Sequence, residues 1–240
     1  VNWDEYTGAL TLTAAHDILI GASLQTAGAS GGGDITLTAG NAISLNAAIT
    51  STKNASLWGT VKFTAGSGGI TNGAGGIITA KKLEVNSGGS VTLNNANVLD
   101  EVAANVTGTF RFVANNPFAV TTVGSTSGVT VSGGNVYLET TAPGAISVNN
   151  QINAGSGKVE LKGYVITFGA GSSTIGDEIR VVASGASGVN LMGGTIGDTT
   201  YTRQVSFETN SIYNSGMTSI TTSASDIKNE IHFSPYTSNT

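Results

Sequence analysis

Few side chains in this sequence have the types and spacing that acid–base or metal chemistry requires. The acidic pairs Asp4-Glu5, Asp100-Glu101 and Asp177-Glu178 are sequence neighbours, and neighbouring side chains of an extended chain point to opposite faces. Two carboxylates that hydrolyse a glycosidic bond must instead converge on one face. His16 and His232 stand near opposite ends of the chain, which argues against a shared metal ion or proton relay. We therefore predict no catalytic residue, no metal site and no cofactor.

Two segments match the acceptor pattern for Asn-linked sugar. They are Asn54-Ala55-Ser56 and Asn105-Val106-Thr107. Such segments also arise by chance in a chain rich in Asn and Thr. Asn54 and Asn105 are therefore candidates for glycosylation.

The composition favours an ordered, repetitive protein. The 240 residues include 34 Gly, three Pro and no Cys, and 10% are charged. Val, Ile and Leu recur at regular intervals, which favours a packed core over a disordered linker. The formal charge of −5 and the lack of a basic run argue against nucleic-acid binding. No apolar run approaches the roughly 18 residues that would indicate membrane insertion.

A short apolar-polar-apolar triplet recurs along the whole chain, at spacings of about 20 to 27 residues that are typical of solenoid repeats. Alternation places two apolar groups on one side of each triplet and one polar group on the other. A single triplet cannot bury its apolar side alone, but stacked copies can. The first triplets of the repeats are Leu10-Thr11-Leu12, Ile35-Thr36-Leu37, Val61-Lys62-Phe63, Leu83-Glu84-Val85, Phe110-Arg111-Phe112, Val136-Tyr137-Leu138, Val159-Glu160-Leu161, Ile179-Arg180-Val181 and Val205-Ser206-Phe207.

Most repeats carry a second triplet and then a lone apolar residue, which together predict three short strands per coil. Gly and Asn between these segments suit sharp corners, because both tolerate a positive φ. The second triplets are Ile18-Leu19-Ile20, Ile43-Ser44-Leu45, Val91-Thr92-Leu93, Phe118-Ala119-Val120, Ile146-Ser147-Val148, Ile166-Thr167-Phe168 and Val189-Asn190-Leu191. The lone apolar residues are Leu24, Ile49, Val98, Val123, Ile152, Ile175 and Ile196. We predict an all-β, three-sided parallel β-helix of roughly nine coils, about 40 Å long.

Stacking of coils in register would bring side chains of successive coils together at about 4.8 Å. Asn46, Asn94 and Asn149 each follow a second triplet, and they would form either an amide ladder or a set of αL corners. The middle residues of the first triplets would form a ladder of charges, in which Glu84 lies between Lys62 and Arg111, and Glu160 lies beside Arg180. We interpret this ladder as a solvated, charge-compensated face, with a ligand site as the alternative. Its members are Lys62, Glu84, Arg111, Tyr137, Glu160 and Arg180.

The middle residues of the second triplets are small and nearly uncharged. We interpret them as a hydroxyl-rich strand surface. A face that packs on a neighbouring rod, carries glycan or binds a flat target is the alternative. The residues are Leu19, Ser44, Thr92, Ala119, Ser147, Thr167 and Asn190.

Some segments depart from the repeat. Asp100–Ala104 could form a helical turn, and Val129-Thr130-Val131 indicates an extra strand or loop. We predict a solenoid over residues 1–216, and over 217–240 a polar cap or a continuation into a next segment. The chain begins with Val1 in mid-pattern, which favours a mature product or an excised piece of a longer protein.

The repeat resembles a known family. The pattern Gly-Asp-Ile-Thr-Leu-Thr-Ala-Gly-Asn-Ala-Ile-Ser-Leu-Asn-Ala-Ala-Ile over residues 33–49 returns as Gly-Ser-Val-Thr-Leu-Asn-Asn over 89–95 and Gly-Ala-Ile-Ser-Val-Asn-Asn over 144–150. It is similar to the repeat region of filamentous-haemagglutinin-like exoproteins, which are bacterial adhesins exported by two-partner secretion. The resemblance covers roughly residues 8–215. It implies a right-handed β-helical shaft on a secreted or cell-surface protein, without the family's amino-terminal secretion domain.

The resemblance also sets the expected function. We expect a non-catalytic shaft or adhesive segment, whose partners would be glycans or proteins on host or neighbouring cells. One alternative is a self-assembling extracellular filament or matrix protein in which rods associate end to end. A less favoured alternative is a β-helical carbohydrate-active enzyme, because residues in one column of a solenoid can converge without being close in sequence.

Overall fold

A computed structural model describes residues 2–3, 9–28, 33–53, 59–141, 143–216, 218–223 and 230–236. Within these ranges the chain forms β-strands and no helix. Asn54, a predicted glycosylation site, lies outside the described residues. In chain order the strands are β1 (Asn2–Trp3), β2 (Leu10–Ala14), β3 (Ile18–Ile20), β4 (Leu24–Gly28), β5 (Ile35–Ala39), β6 (Ala42–Leu45), β7 (Ile49–Lys53), β8 (Thr60–Ala65), β9 (Gly69–Asn72), β10 (Ile78–Thr79), β11 (Lys82–Ser87), β12 (Val91–Asn97), β13 (Glu101–Val106), β14 (Phe110–Ala114), β15 (Phe118–Val120), β16 (Thr122–Val123), β17 (Thr126–Ser127), β18 (Val129–Val131), β19 (Val136–Thr140), β20 (Ala145–Val148), β21 (Gln151–Asn153), β22 (Val159–Gly163), β23 (Val165–Phe168), β24 (Ser173–Ile175), β25 (Glu178–Ala183), β26 (Val189–Leu191), β27 (Gly194–Ile196), β28 (Gln204–Thr209), β29 (Ile212–Asn214), β30 (Thr218–Ile220) and β31 (Glu230–Ser234).

The strands stack into three parallel sheets that wind around one core, which confirms the predicted parallel β-solenoid. Sheet A has the order β1-β4-β7-β10, and sheet C has the order β3-β6-β9-β12-β14-β19-β22-β25-β28-β31. Sheet B begins as β2-β5-β8-β11-β13. The stack amounts to about nine turns. Past residue 216, β30 pairs with β27 and β31 pairs with β28, so these strands add rungs to the same sheets.

Period-two alternation explains both the sheets and the core. In β5, Ile35 and Leu37 are fully buried while Thr36 and Thr38 face outward and are half-buried. The same pattern recurs in most of the strands, so the inward Val, Ile, Leu and Phe side chains form one continuous apolar column. Each coil therefore buries its apolar side only against its neighbours, as a solenoid requires.

The stacking order changes at β13, and two predictions are wrong there. Asp100–Ala104 is not a helical turn, since Glu101–Val106 forms β13 and pairs along its whole length with β11. The predicted stacking of Phe110-Arg111-Phe112 on Leu83-Glu84-Val85 is also wrong. The strand β13 occupies that place in sheet B, and Phe110 starts β14 in sheet C. The strand core Val102-Ala103-Ala104 lacks the large alternating apolar residues that mark the other first triplets, so the sequence does not reveal it.

Sheet B divides into two columns of strands above β13, where above means toward the later coils of the chain. The first part of β13 pairs with β15, through Glu101 and Val102, and the last part pairs with β18, through Ala104 to Val106. From there upward sheet B supplies two of the three strands of each coil, in the columns β15-β20-β23-β26-β29 and β18-β21-β24-β27-β30. The predicted irregularity at Val129-Thr130-Val131 is confirmed as β18.

Sheet A ends where sheet B divides, and the side chain of Asn116 completes its last rung. The Leu99 amide donates to Asn116 Oδ1 at 3.0 Å, and Asn116 Nδ2 donates to the Leu99 carbonyl at 2.8 Å. The Asn116 side-chain amide thus makes the bonds that the next strand would have made, so no backbone group of Leu99 is left without a partner.

Three lone apolar residues expected in the core lie outside it. Val123 belongs to β16, which pairs antiparallel with β17 outside the core. The other two face outward. Val98 is half-buried while the adjacent Leu99 is fully buried, and Ile175 is half-buried while Thr174 lies inside. In the second case Thr174 stacks between Ile152 and Ile196. The predictions for Val98 and Ile175 are wrong by one residue, because a lone apolar residue carries no alternation from which its register could be inferred.

Gly157 lies where only glycine fits, at the corner that leads into β22. A Cβ atom on Gly157 would lie 1.8 Å from the carbonyl oxygen of Gly134 in the coil below. We expect Gly157→Ala to lower the free energy of unfolding by about 2 kcal/mol, a typical cost of overpacking. Urea denaturation would measure this loss. Gly21→Ala is the control, because no atom lies within 4 Å of its added Cβ. Equal losses in both variants would contradict the expectation.

Candidate functional site

The predicted charge ladder is two separate columns. Thr11, Thr36, Lys62 and Glu84 stack in sheet B, and the next residue above Glu84 is Ala103. Arg111, Tyr137, Glu160, Arg180 and Ser206 stack in sheet C, above Thr92. The predicted contact between Glu84 and Arg111 is therefore wrong. Because the short coil before it ends at β13, the strand that carries Arg111 lies in sheet C and not in sheet B.

Each half of the ladder does contain a predicted ion pair. Lys62 Nζ lies 3.2 Å from Glu84 Oε2 in sheet B. In sheet C, Arg180 bridges two coils, because its guanidinium lies 3.1 Å from Glu160 Oε1 and 2.7 Å from Glu208 Oε2. The pairings Lys62–Glu84 and Glu160–Arg180 are confirmed.

A second outward column, which the triplet pattern does not predict, runs beside the first in sheet C. It contains Glu139 and Lys162, which pair at 2.7 Å, and also Glu208. The strands that carry these residues extend two positions beyond the triplets used to find them. Extending the alternation by two residues would have revealed the column. We call the two outward columns of sheet C, from Arg111 to Glu208, the charged face.

The charged face rests on apolar groups that lie outside the core. Val113 and Val182 belong to the second column, yet they are 5% and 3% exposed. Phe112 and Ala114, which flank Val113, point into the core. Long charged side chains bury apolar stems along such surface while their heads stay in water. The charged residues therefore shield the outer side of the sheet as well as pairing with one another.

Two adjoining depressions cross the charged face. The first, of about 190 Å³, is lined by Arg111, Tyr137, Glu160 and the pair Glu139 and Lys162. In it the Arg111 guanidinium carbon lies 5.8 Å from the centre of the Tyr137 ring and its Nη2 lies 3.8 Å from Glu139 Oε2. The second, of about 420 Å³, shares Glu139 and Lys162 and extends to Thr141, Pro143, Tyr164 and Ser184.

A buried carboxylate forms a second polar cluster, on sheet B. Glu84 is 3% exposed, and its Oε1 accepts hydrogen bonds from Thr126 Oγ1 at 2.9 Å and from Ser125 Oγ at 3.0 Å. These hydroxyls belong to the β16–β17 hairpin, whose strands pair antiparallel. Burial alone would raise the pKa of Glu84, but the bonds from Thr126, Lys62 and Ser125 together hold it below its ordinary value. We call Glu84 with these three partners the Glu84 cluster.

The hairpin also covers apolar surface beside the Glu84 cluster. Ala103 faces outward above Glu84 and is fully buried, and Val123 of the hairpin is 1% exposed. Gly124 at the hairpin turn has a φ of 58°, and a Cβ added there would lie 2.4 Å from Glu84 Oε2. The hairpin is thus fastened to the sheet by a carboxylate beneath its turn and by a small apolar contact.

The predicted Asn ladder is wrong. Asn46 follows β6 and Asn94 lies in β12, both in sheet C, but Asn149 follows β20 in sheet B. Gly73, whose added Cβ would lie 2.8 Å from Asn46 Oδ1, occupies the corner above Asn46. None of the three has a positive φ, so they are not αL corners either. The division of sheet B places equivalent-looking corners on different sides of the rod.

The small second-triplet residues also divide between two sheets. Leu19, Ser44 and Thr92 lie in sheet C, below the charged face. The remaining four, Ala119, Ser147, Thr167 and Asn190, stack in one column of sheet B. The single flat face that the sequence suggests is therefore two shorter surfaces.

Asn105, the described glycosylation candidate, is an exposed residue in β13 between Asn86 and Thr130 of the neighbouring strands. Its side chain is open to solvent beside the hairpin, in a depression of about 260 Å³ that Ser125 and Ser127 also line. Attachment of a sugar there stays a prediction.

The two histidines lie far apart, as predicted, since His16 precedes β3 at one end of sheet C and His232 lies in β31 at the other. His16 Nδ1 contacts Asp17 Oδ2 at 2.8 Å at an exposed corner. Hydrogen bonds from Asn41 and His16 lower the pKa of Asp17. No group of three or more potential metal ligands occurs in the described part of the chain.

The fold defines a protein of the parallel β-solenoid class. No family model, curated protein or solved structure matches this chain. Among the residues that the structure describes, no helix is long and apolar enough to cross a membrane.

Proposed function

We propose that this chain is a structural shaft or adhesive segment of a secreted or cell-surface bacterial adhesin, without a catalytic role. The observation that carries the proposal is the succession of parallel strands in sheet C, each stacked directly on the one before. Such stacking makes a stiff rod whose length grows with the number of coils. The resemblance to filamentous-haemagglutinin-like repeats supports the same function, and glycans or proteins of neighbouring cells are the partners it implies.

The state of the acidic residues supports a non-catalytic role. Glu139 and Glu160, which line the first depression, are paired with Lys162 and Arg180 at 2.7 and 3.1 Å. Two carboxylates that hydrolyse a glycosidic bond must both face that bond. Here each carboxylate instead holds a cation of an adjacent coil, an arrangement that joins coils.

Two measurements test the proposal. The chain has no Cys, so Ala22→Cys with Ser215→Cys places dyes only at two exposed positions near opposite ends of the rod. We expect one narrow distance distribution near 40 Å, from about eight coil steps of 4.8 Å. The purified chain should also release no reducing ends from a panel of polysaccharides. A broad distance distribution would overturn the shaft, and released reducing ends would overturn the non-catalytic role.

A further inference from the structure

The two depressions on the charged face form one groove with an aromatic side chain at each end. Tyr137 lines the first depression and Tyr164 lines the second, while Glu139 and Lys162 line both. We call this the Tyr137–Tyr164 groove. We propose that it binds a short neutral oligosaccharide. The inference rests on the proposed extracellular function, because that is where the chain would meet such a ligand.

The charges of the groove favour an uncharged ligand. Arg111 and Lys162 supply two positive charges, and Glu139 and Glu160 supply two negative charges. An acidic or a basic ligand would bring a like charge close to one of these groups, which costs binding free energy. Sugar hydroxyls both donate and accept, so they can bond to carboxylates and cations alike.

Arg111 is the donor with the most capacity left for a ligand. Its nearest carboxylate, Glu139, is 3.8 Å away, which is beyond hydrogen-bond length. Its guanidinium lies over the Tyr137 ring, and Asn135 Nδ2 donates to the Tyr137 hydroxyl at 3.1 Å. The ring and the guanidinium are thus held together as one wall of the groove.

Tyr164 supplies the apolar surface at the other end. It is 43% exposed, although it is a large aromatic residue. Gly185 lies against the ring, because a Cβ added to Gly185 would be 2.6 Å from Tyr164 Cδ1. Aromatic side chains with one apolar and one polar end suit sites that are partly wet. The C–H face of a sugar ring can pack on such a side chain while its hydroxyls remain in the polar part of the groove.

The central part of the groove is preformed on strands, and Tyr164 lies at the corner between β22 and β23. Tyr137 and Glu139 belong to β19, and Glu160 and Lys162 belong to β22, two strands that pair in register. Residues fixed on paired strands lose little freedom on binding, which lowers the entropic cost. The larger depression, of about 420 Å³, lies within the range of small-molecule sites, and the adjoining one, of about 190 Å³, extends it.

The test uses the whole chain and immobilised neutral tri- and tetrasaccharides of glucose, galactose, mannose and N-acetylglucosamine, beside sialylated and sulfated ones. We expect at least one neutral saccharide to bind, and its affinity, measured by titration calorimetry, to fall at least tenfold in Tyr164→Ala and in Lys162→Met. Tyr201→Ala removes a similarly exposed ring in the segment between β27 and β28, outside the groove, and should bind as the unmodified chain does.

The outcomes separate this inference from the shaft proposal. Circular dichroism melting and the dye-to-dye distance should be unchanged in Tyr164→Ala, which shows that the rod is intact. The inference is overturned if no neutral saccharide binds, if only acidic ones bind, or if binding survives both groove substitutions. If the rod is rigid but binds no saccharide, the shaft proposal is supported and the saccharide-binding inference is wrong.

Discussion

Asn97→Ala is expected to lower the free energy of unfolding by about 4 kcal/mol, because it leaves several buried backbone groups without partners. Asn97 is fully buried at the end of β12. Its Oδ1 accepts a bond from the Ile78 amide at 2.9 Å. Its Nδ2 donates to the carbonyls of Asn95 and Val113, each at 2.9 Å, and lies 3.2 Å from that of Leu93.

The position of Asn97 explains why the loss is large. The pairing of β12 with β14 shifts between Leu93 and Asn97, so this part of the sheet has a bulge whose backbone groups lack strand partners. One side-chain amide joins groups of three successive coils there, from Ile78 below to Val113 above. A change of about 4 kcal/mol corresponds to a fall of about 10 °C in Tm for a chain of this size.

Two further variants identify the cause of the Asn97 effect. Asn97→Asp keeps the shape and the acceptor for Ile78 but cannot donate, so it should be at least as harmful as alanine above pH 6. Asn94→Ala changes an exposed residue of the same strand and should cost less than about 0.5 kcal/mol. Urea denaturation gives all three values. A harmless Asp variant would show that side-chain volume matters at this position and the amide donor does not.

Alternation predicts the sheets of this protein but not the assignment of strands to them. Triplets such as Ile35-Thr36-Leu37 reveal their inward sides directly, because the period of two admits a single choice of face. The sheet that a triplet joins depends on the length of the corners before it. The corner between Val98 and Glu101 is short, and the strand after it contains Ala103 and Ala104 in place of large residues. The assignment therefore fails at β13 and stays shifted for every later coil.

The assignment of strands to sheets also limits how much of the candidate sites the sequence predicts. Pairs within one unbroken column, such as Glu160 and Arg180, follow from the spacing of neighbouring triplets. Contacts that bridge columns or insertions do not. The Tyr137–Tyr164 groove depends on a corner between two sheets, and the Glu84 cluster depends on a hairpin that folds back over an earlier coil. The sequence does not predict the inward position of Asn97, because an inward polar residue contradicts the apolar pattern that marks the core.

Glu84→Ala is expected to lower the free energy of unfolding by about 3 kcal/mol at pH 7. It removes the buried acceptor of the Ser125 and Thr126 hydroxyls and leaves Lys62 without its carboxylate. The Lys62 side chain is 35% exposed, so water compensates part of that loss. The β16–β17 hairpin should also become a preferred site of limited proteolysis, because Glu84 fastens its turn to the sheet.

The same group should make stability depend on pH in a defined direction. The pKa of Glu84 is lower in the folded protein than its ordinary value. Its contribution is therefore complete above the unfolded pKa of about 4.3, and it is lost as the pH falls through the lower folded pKa. We expect the stability difference between the unmodified chain and Glu84→Gln to be constant from pH 7 to pH 5 and to shrink toward pH 3.

Glu101→Gln is the matched control for Glu84→Gln. Glu101 lies on the adjacent strand β13 and pairs with Lys82 at 2.9 Å, but its side chain is 25% exposed. Within the described hairpin, residues 122–127, no hydroxyl donates to it. An ion pair of this kind contributes at most about 1 kcal/mol. Glu101→Gln should therefore cost less than Glu84→Gln at pH 7 and leave the hairpin resistant to protease. Equal costs in the two variants, or a Glu84→Gln difference that does not shrink in acid, would show that the hairpin is held by its apolar contact with Ala103 and that the carboxylate adds little.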